Sequence, residues 1–223
     1  MVAFRGLLGI FAAVACWVGI TAIAQAAVLD FTNTSGAGTP GKTSGSFKGT
    51  TYSLSSTGGG ITFNGTHSGG TCAMLNCGGD GLGVGDDEIS ARGGQSIRID
   101  FGKALRIDKI FLLDLFATPG GSPAEQAIVS YDGGSVAIDA DPGETPGGDS
   151  GLRIFAFNAP ILTDYLEFRA SDIFGLNDGR GVNDFALAGI SAVPIPAALP
   201  LFSSGLAVLG FLSWWRRRRD AAA

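Results

Sequence analysis

Histidine is almost missing from this chain. His67 is the only one, which excludes a zinc site built on paired histidines. Any Ser-His-Asp triad would have to run through it, yet no Gly-x-Ser-x-Gly elbow surrounds a serine in a strand-to-helix setting. With Asn64-Gly65-Thr66 before it and Ser68-Gly69 after it, His67 reads as an exposed loop residue. Cysteine is nearly as scarce: Cys16, Cys72 and Cys77 are all there is. No second Cys or His pair accompanies the last two, which argues against a metal knot. Tryptophan occurs only as Trp17, Trp214 and Trp215, so the long middle of the chain has no indole for stacking a sugar or a base. Basic residues are few there as well. Residues 27–192 hold 10 Lys/Arg against 19 Asp/Glu, a net charge of −9; such a surface repels nucleic acid and favours cations and solubility. The ligand spacing of an EF-hand is missing, as is the phosphate-loop context around the glycines of Thr57 to Gly60. No internal repeat stands out.

Long apolar runs are present, and they sit at the two ends. Residues 1–26 have the pattern of a secretory signal: Arg5, the apolar run Leu7 to Ile23, then Ala24-Gln25-Ala26 as a small-x-small site. Cleavage before Ala27 is expected, with an uncleaved signal anchor as the alternative. Cys16 follows Ala13-Val14-Ala15, but the leucine a lipidation site needs three residues upstream is missing, so Cys16 reads as a core residue of the signal helix. At the other end, residues 199–215 are seventeen positions without a charge. As a helix they reach roughly 25 Å, near the lower limit for crossing a bilayer. Trp214 and Trp215 stand where an aromatic belt sits, and Arg216, Arg217, Arg218 and Arg219 form a cytoplasmic stop. Pro194, Pro196 and Pro200 keep the stretch before the span extended. An ordinary single-pass anchor and a removable address both fit these features.

The residues Val193-Pro194-Ile195-Pro196-Ala197-Ala198-Leu199-Pro200-Leu201-Phe202, with Gly205-Leu206-Ala207 and the terminal arginines, resemble the VPLPA-CTERM variant of the PEP-CTERM sorting signals. Ile195 stands where that family usually has Leu. The resemblance spans residues 193–223 and implies a Gram-negative source and recognition by an exosortase, a membrane cysteine transpeptidase-like enzyme. It also implies cleavage near Pro194 to Ala198 and display at the cell envelope or in extracellular matrix. Val193, Pro194, Ile195, Pro196 and Ala197 would be the sorting motif. The chain then divides into a signal peptide (1–26), a secreted domain (27–192) and a sorting signal with a transmembrane helix at 199–215.

Between the ends the pattern is short strands separated by Gly/Ser/Thr-rich turns. Strands are expected at Val28 to Phe31, Ser46 to Leu54, Ile61 to Asn64 and Ser96 to Phe101. Arg106 to Phe116 is nearly continuous apolar sequence and reads as a central strand covered on both faces. Ala127 to Tyr131 and Ser135 to Asp139 flank Asp132-Gly133-Gly134 as a hairpin. Leu152 to Phe157, Tyr165 to Ala170 and Asn183 to Ile190 complete the set, while Gly65 to Asp87 reads as one long loop. The fold class is all-β: an antiparallel β-sandwich of jelly-roll, galactose-binding-like, type.

Two pieces of that long loop bear on chemistry. Cys72 and Cys77 are the only cysteines left after export into an oxidising compartment, and a disulfide is expected between them. Gly79 to Glu88 interleaves glycines with carboxylates, a composition that can converge on a hard cation. Calcium is the candidate cofactor, with Asp80, Asp86 and Asp87 as ligands and Asp184 joining from the last strand. The phrase Gly81-Leu82-Gly83-Val84-Gly85-Asp86-Asp87-Glu88-Ile89 also resembles a region of PEP-CTERM ectodomains, which implies a β-sandwich and no particular activity. Asn33-Thr34-Ser35 and Asn64-Gly65-Thr66 fit an N-glycosylation pattern that in a bacterial protein is coincidence. The expected function is therefore non-enzymatic: an exported structural or adhesive module, with the exosortase and the membrane as partners and no nucleic acid. The alternatives are a calcium-stabilised carbohydrate-binding module that meets extracellular polysaccharide, and a carboxylate-dependent polysaccharide hydrolase.

Overall fold

The computed structural model describes residues 26–64, 72–117, 124–143, 150–172, 183–194, 205–206 and 209–210. The signal segment, His67, Ile195 to Ala197 and Arg216 to Arg219 lie outside the described residues, as does all of 199–215 except four helical residues at 205–206 and 209–210. Among the described residues no helix is long and apolar enough to cross a membrane.

Among the described residues there are ten strands: β1 (Ala27–Asp30), β2 (Ser44–Phe47), β3 (Thr50–Thr57), β4 (Ile61–Asn64), β5 (Gly81–Val84), β6 (Ser96–Leu113), β7 (Gln126–Tyr131), β8 (Gly134–Asp139), β9 (Arg153–Ala170) and β10 (Ala186–Val193). All pairings between them are antiparallel. Alternation explains the shorter ones. In β3, Tyr52 and Leu54 are buried while Thr51, Ser53 and Ser55 are exposed. The β7–β8 hairpin closes on Asp132 and Gly133, and Gly133 takes the left-handed conformation the turn needs.

β6 and β9 build the two layers. The first part of β6 pairs with β3 and with the second part of β9: Leu54↔Ile99↔Leu166 is one rung. Its second part pairs with β10 and with the first part of β9: Ile190↔Ile110↔Phe155 is another. Each long strand thus passes from one layer to the other, with register shifts at Asp100/Leu105 and Ile107/Lys109 marking the bends. The layers meet across the core, where Phe31, just after β1, packs edge-on against Tyr52 of β3 at 6.4 Å between centroids. Ile97, Ile99, Ile107, Ile110, Leu112, Leu166, Phe168 and Leu187 fill that core. A smaller cluster of Phe111, Leu113, Ala186 and Ala188 lies under Cys72 and Leu75. The strand through Ile110 to Leu113 is therefore covered on both faces, as its unbroken apolar run requires.

The structure departs from the sequence expectations in four places. The two strands expected at Ser96 to Phe101 and Arg106 to Phe116 are one, as are those at Leu152 to Phe157 and Tyr165 to Ala170, because the corner residues bend without breaking the ladder. Ser46 to Leu54 is not one strand but the β2–β3 hairpin, turned at Lys48-Gly49. The loop expected from Gly65 to Asp87 contains β5, fully buried against β10 through Leu82↔Leu187. Cys72 and Cys77 are joined as a disulfide with Cα atoms 5.8 Å apart. The loop they close is tied to the end of β1: Asn76 N–H donates to Asp30 Oδ2 (2.8 Å) and Cys77 N–H to Thr32 Oγ1 (3.0 Å).

Candidate functional site

The two ends of the sandwich differ. At one end Ala27 sits opposite Ala192, and Val193 opposite Arg106. β10 runs from there to Ala186, which faces Leu113 at the other end. Eight strand residues span roughly 25 Å. The connections that gather at this second end are 85–95, 114–125, 140–152 and 171–185. Their described parts are knitted by backbone bonds: Ile89 N–H to Phe185 O (2.7 Å), Ala91 N–H to Asn183 O (2.9 Å), Asp114 N–H to Ser150 O (3.0 Å) and Leu115 N–H to Gly151 O (3.1 Å). Gly151 lies so close to Asp114 and Leu115 that a Cβ would overlap their backbone, and its φ of +59° is left-handed. Asn183, buried at this junction, accepts from Gln126 N–H (3.0 Å) and donates to the carbonyls of Gln126 (3.1 Å) and Ser171.

Around this junction stand Asp86, Asp87 and Glu88 after β5, Asp114 after β6, Glu125 before β7 and Asp184 before β10. Burial pushes the Glu88 carboxyl up to about 8, helped by the nearby charge of Asp184 and a hydrogen bond with it. Burial likewise raises Asp184 to about 7, reinforced by the charge of Glu125 and opposed by the bond from Glu88. The two carboxyls share that bond, and burial together with their mutual repulsion keeps a proton on the pair well above the ordinary carboxylate range. Glu125 is also pushed up to about 8 by burial, although its Oε2 accepts a 2.6 Å bond from Phe116 N–H that favours the anion. Among the described residues no lysine or arginine stands with the charges that raise these three. Near neutral pH the raised values keep protons on this group.

Of the four candidate calcium ligands, Asp86, Asp87 and Asp184 stand near one another, where their charges act on or around Glu88, and Asp80 stands apart. Asp80 is buried at the start of β5, while Asp86 and Asp87 are exposed beyond its end. The reason is β5 itself. Gly81 and Gly83 serve close packing rather than ligation: a Cβ on the first would overlap the Leu187 carbonyl and on the second the Asp87–Glu88 peptide. The chain then folds back so that Val84 N–H reaches Glu88 O at 2.9 Å. Only Asp184 of the four joins the buried group, and its partners Glu88, Glu125 and Asp114 were not singled out by sequence. Among the described residues no three His, Cys, Asp or Glu side chains converge so as to hold a metal ion. Of the sorting motif, Val193 closes β10 and Pro194 follows it, while the remaining three residues lie outside the described range.

No family model matches this chain, and no curated protein matches it. Solved structures show a distant likeness. The family 32 CBM from C. perfringens NanJ in complex with galactose is 15% identical, with a TM-score of 0.31 over 63% of this chain and 93% of that one. CBM32-1 from a family 31 glycoside hydrolase from Clostridium perfringens is 18% identical, with a TM-score of 0.30 over 64% and 94%. The arabinofuranosyltransferase AftD from Mycobacteria is 22% identical, with a TM-score of 0.28 over 62% of this chain and 11% of that one. A likeness this slight decides neither the fold nor a ligand for this chain.

Proposed function

We propose that this chain is an exported, non-catalytic β-sandwich that an exosortase sorts to the cell envelope or extracellular matrix, where it acts as a structural or adhesive module. The observation that carries this reading is the rung Ala27↔Ala192. The residue expected to begin the exported protein and the residue before the sorting motif are paired in neighbouring strands. The ladder lies between Ala27 and Val193, so removing residues 1–26 or the chain after Val193 costs it no rung. Both segments leave at one end, and β10 carries the chain from there to the acidic loops at the other, which a membrane tether would hold outward.

The carboxyl pair counts against one alternative, a polysaccharide hydrolase working through Glu88 and Asp184. Glu88 and Asp184 touch through a hydrogen bond, whereas two carboxyls that cleave a glycosidic bond stand about 5 Å or more apart to admit sugar or water. The test is the intact mass of the protein from its native host, with and without the exosortase. A product that starts at Ala27 and ends soon after Val193, made only when the enzyme is present, is the expected result. Recovery of chains still ending in Arg216 to Arg219 in both strains would reduce the tail to a plain tether. A second reading, a module that binds saccharide, is favoured by a cleft of about 390 Å³ at the loop end, lined among the described residues by Thr57, Gln95, Ser96, Glu167 and Arg169.

A further inference from the structure

We propose that the tail end of the sandwich seats on the surface of an anionic lipid bilayer, with Leu162 entering the headgroup layer and Lys103, Arg106 and Lys109 facing lipid phosphates. This rests on the reading of residues 199–215 as a membrane span and says how the domain sits above it. The observation behind it is one rung across three strands, Val193↔Arg106↔Leu162. Val193 is where the tail leaves. Residues directly opposite in a ladder share a face, so Arg106 and Leu162 stand beside Val193, within about 10 Å or two strand spacings. Leu162 is 59% exposed, more than any other large apolar side chain on the described strands.

The corner around this rung differs from the rest of the domain. β6 passes here from one layer to the other, and Gly102, Lys103 and Ala104 are exposed at the bend. Three of the ten basic residues of 27–192 fall within positions 103–109. Asp108 is the one acid among them, and its Oδ1 is buried. The β2–β3 turn brings Lys48 to the same end, since Thr50 and Thr51 lie against Gly102. Asp132 and Asp164 are the other acids there, and Asp132 Oδ2 accepts from Asp164 N–H at 3.0 Å. Between the pairs Lys109↔Ala156 and Ile107↔Ile161, the segment Phe157 to Pro160 stands opposite Asp108 alone. β9 therefore bulges out beside Leu162, and the bulge carries no charge. The loop end is the reverse, crowded by Asp86, Asp87, Glu88, Asp114, Glu125 and Asp184. An anionic surface turns those loops away and draws this corner in.

The tether limits where the bilayer can be. Six residues lead from Val193 to Leu199, at most about 20 Å of extended chain. A span that begins at Leu199 keeps the headgroups within that reach of the corner. Seating is then intramolecular, at an effective concentration in about the millimolar range, so a patch too weak to take lipid from solution suffices. Each cation close to an anionic headgroup layer shifts the balance about fivefold. Leu162 adds about as much by leaving water, and the stems of Lys103, Arg106 and Lys109 can lie along the interface with their charges at the phosphates.

The full chain with Cys16→Ser and Ala104→Cys has one thiol besides the disulfide, placed at the exposed bend. It carries a nitroxide there and is reconstituted into vesicles of phosphatidylcholine with phosphatidylglycerol, or of phosphatidylcholine alone. A second chain carries the label at Thr57→Cys, exposed at the loop end of β3. Relaxation by oxygen against relaxation by a water-soluble nickel chelate reads the depth of each label. On the anionic vesicles the label at position 104 is expected at headgroup level and the label at position 57 in water. Leu162→Ser should lower the seated fraction about fivefold, and Lys103→Glu with Arg106→Glu about tenfold or more. Each variant is melted alongside the parent, and an unchanged transition ties the loss to the surface. A label at position 104 that stays in water on both vesicles, in chains that alkaline carbonate does not extract, overturns the seating and spares the span. Equal seating on both vesicles, or seating that neither variant reduces, overturns the patch assigned here. Extraction of the chain by carbonate overturns span and seating together.

Discussion

Raising the pH from 5 to 9 should destabilise this domain. Glu88 and Glu125 titrate near 8 and Asp184 near 7 in the folded chain, all far above their ordinary values. A carboxyl whose folded pKa is raised contributes its stability in full below the unfolded value. That contribution is lost as the pH climbs through the folded one. The unfolded chain is already ionised above about pH 5, so each retained proton gives a slope of up to about 1.4 kcal/mol per pH unit. Adding three full shifts would overstate the effect. The groups are half-buried and feel one another's charge, so solvent and coupling together cut it severalfold. A net loss of about 2–4 kcal/mol across the range is expected, roughly 5–15 °C in melting temperature for a domain of this size. The assay is circular dichroism melting at constant ionic strength with a chelator present. Glu125→Gln is the control: its amide oxygen can still accept from Phe116 N–H, but one titration is gone, so the alkaline fall becomes shallower. With protons as the neutralising species, millimolar calcium leaves the curve unchanged, and a calcium-dependent rise at pH 8–9 would bring the cation reading forward. A melting temperature that is flat or increases from pH 5 to 9 would falsify the account of the buried carboxyls.

The loop end depends on Asn183. Asn183→Ala strips partners from Gln126 N–H and from the Gln126 and Ser171 carbonyls, and should cost about 2–4 kcal/mol in a denaturant titration; a loss below half a kcal/mol would mean water takes over all three. Cys72→Ser with Cys77→Ser opens a loop of only six residues that Asp30 and Thr32 also hold. The expected cost is about 2 kcal/mol or less, read as a melting shift of roughly 4–8 °C or smaller. The same shift should follow from reductant on the parent chain, and a parent indifferent to reductant would show that the backbone bonds alone fix the loop.

Strands whose side chains alternate were legible as sequence. Ile97, Ile99 and Phe101 announce β6, and Asp132-Gly133 announces the hairpin, because burial on one face and a left-handed turn each restrict residue type. β5 was not legible, for a physical reason. Gly81-Leu82-Gly83-Val84 is half glycine, a composition typical of loops, and only the approach of Leu187 and of the Asp87–Glu88 peptide explains why side chains are excluded. The same residues then misdirect a reading of ligands, since glycines beside aspartates look like an ion loop until the strand between Asp80 and Asp86 is seen. Glu125 was invisible for a different reason. It follows an unremarkable Pro123-Ala124, and its raised pKa comes from burial and then from the charges of Glu88 and Asp114, which lie 37 and 11 positions away in sequence.

The placement of β10 bears on what a sorted domain has to withstand. Val193 leads directly into Pro194, so any pull on the tail is delivered to this strand along its own axis. β10 is not an edge: β6 pairs with one side through Ala186 to Val193, and β1 and β5 with the other. Antiparallel ladder bonds lie perpendicular to the strands, so an axial load is shared by all of them at once instead of opening them one by one. Seven of the eight β10 residues are buried, and sliding the strand by one position would turn its inward set to the wrong face. The forced unfolding rate is then set by a cooperative barrier rather than by fraying. A tail attached to β2 or β8, each paired along one side only among the described strands, would peel its strand away. Attached to β10, the same tail is joined to the residues that hold the two layers together.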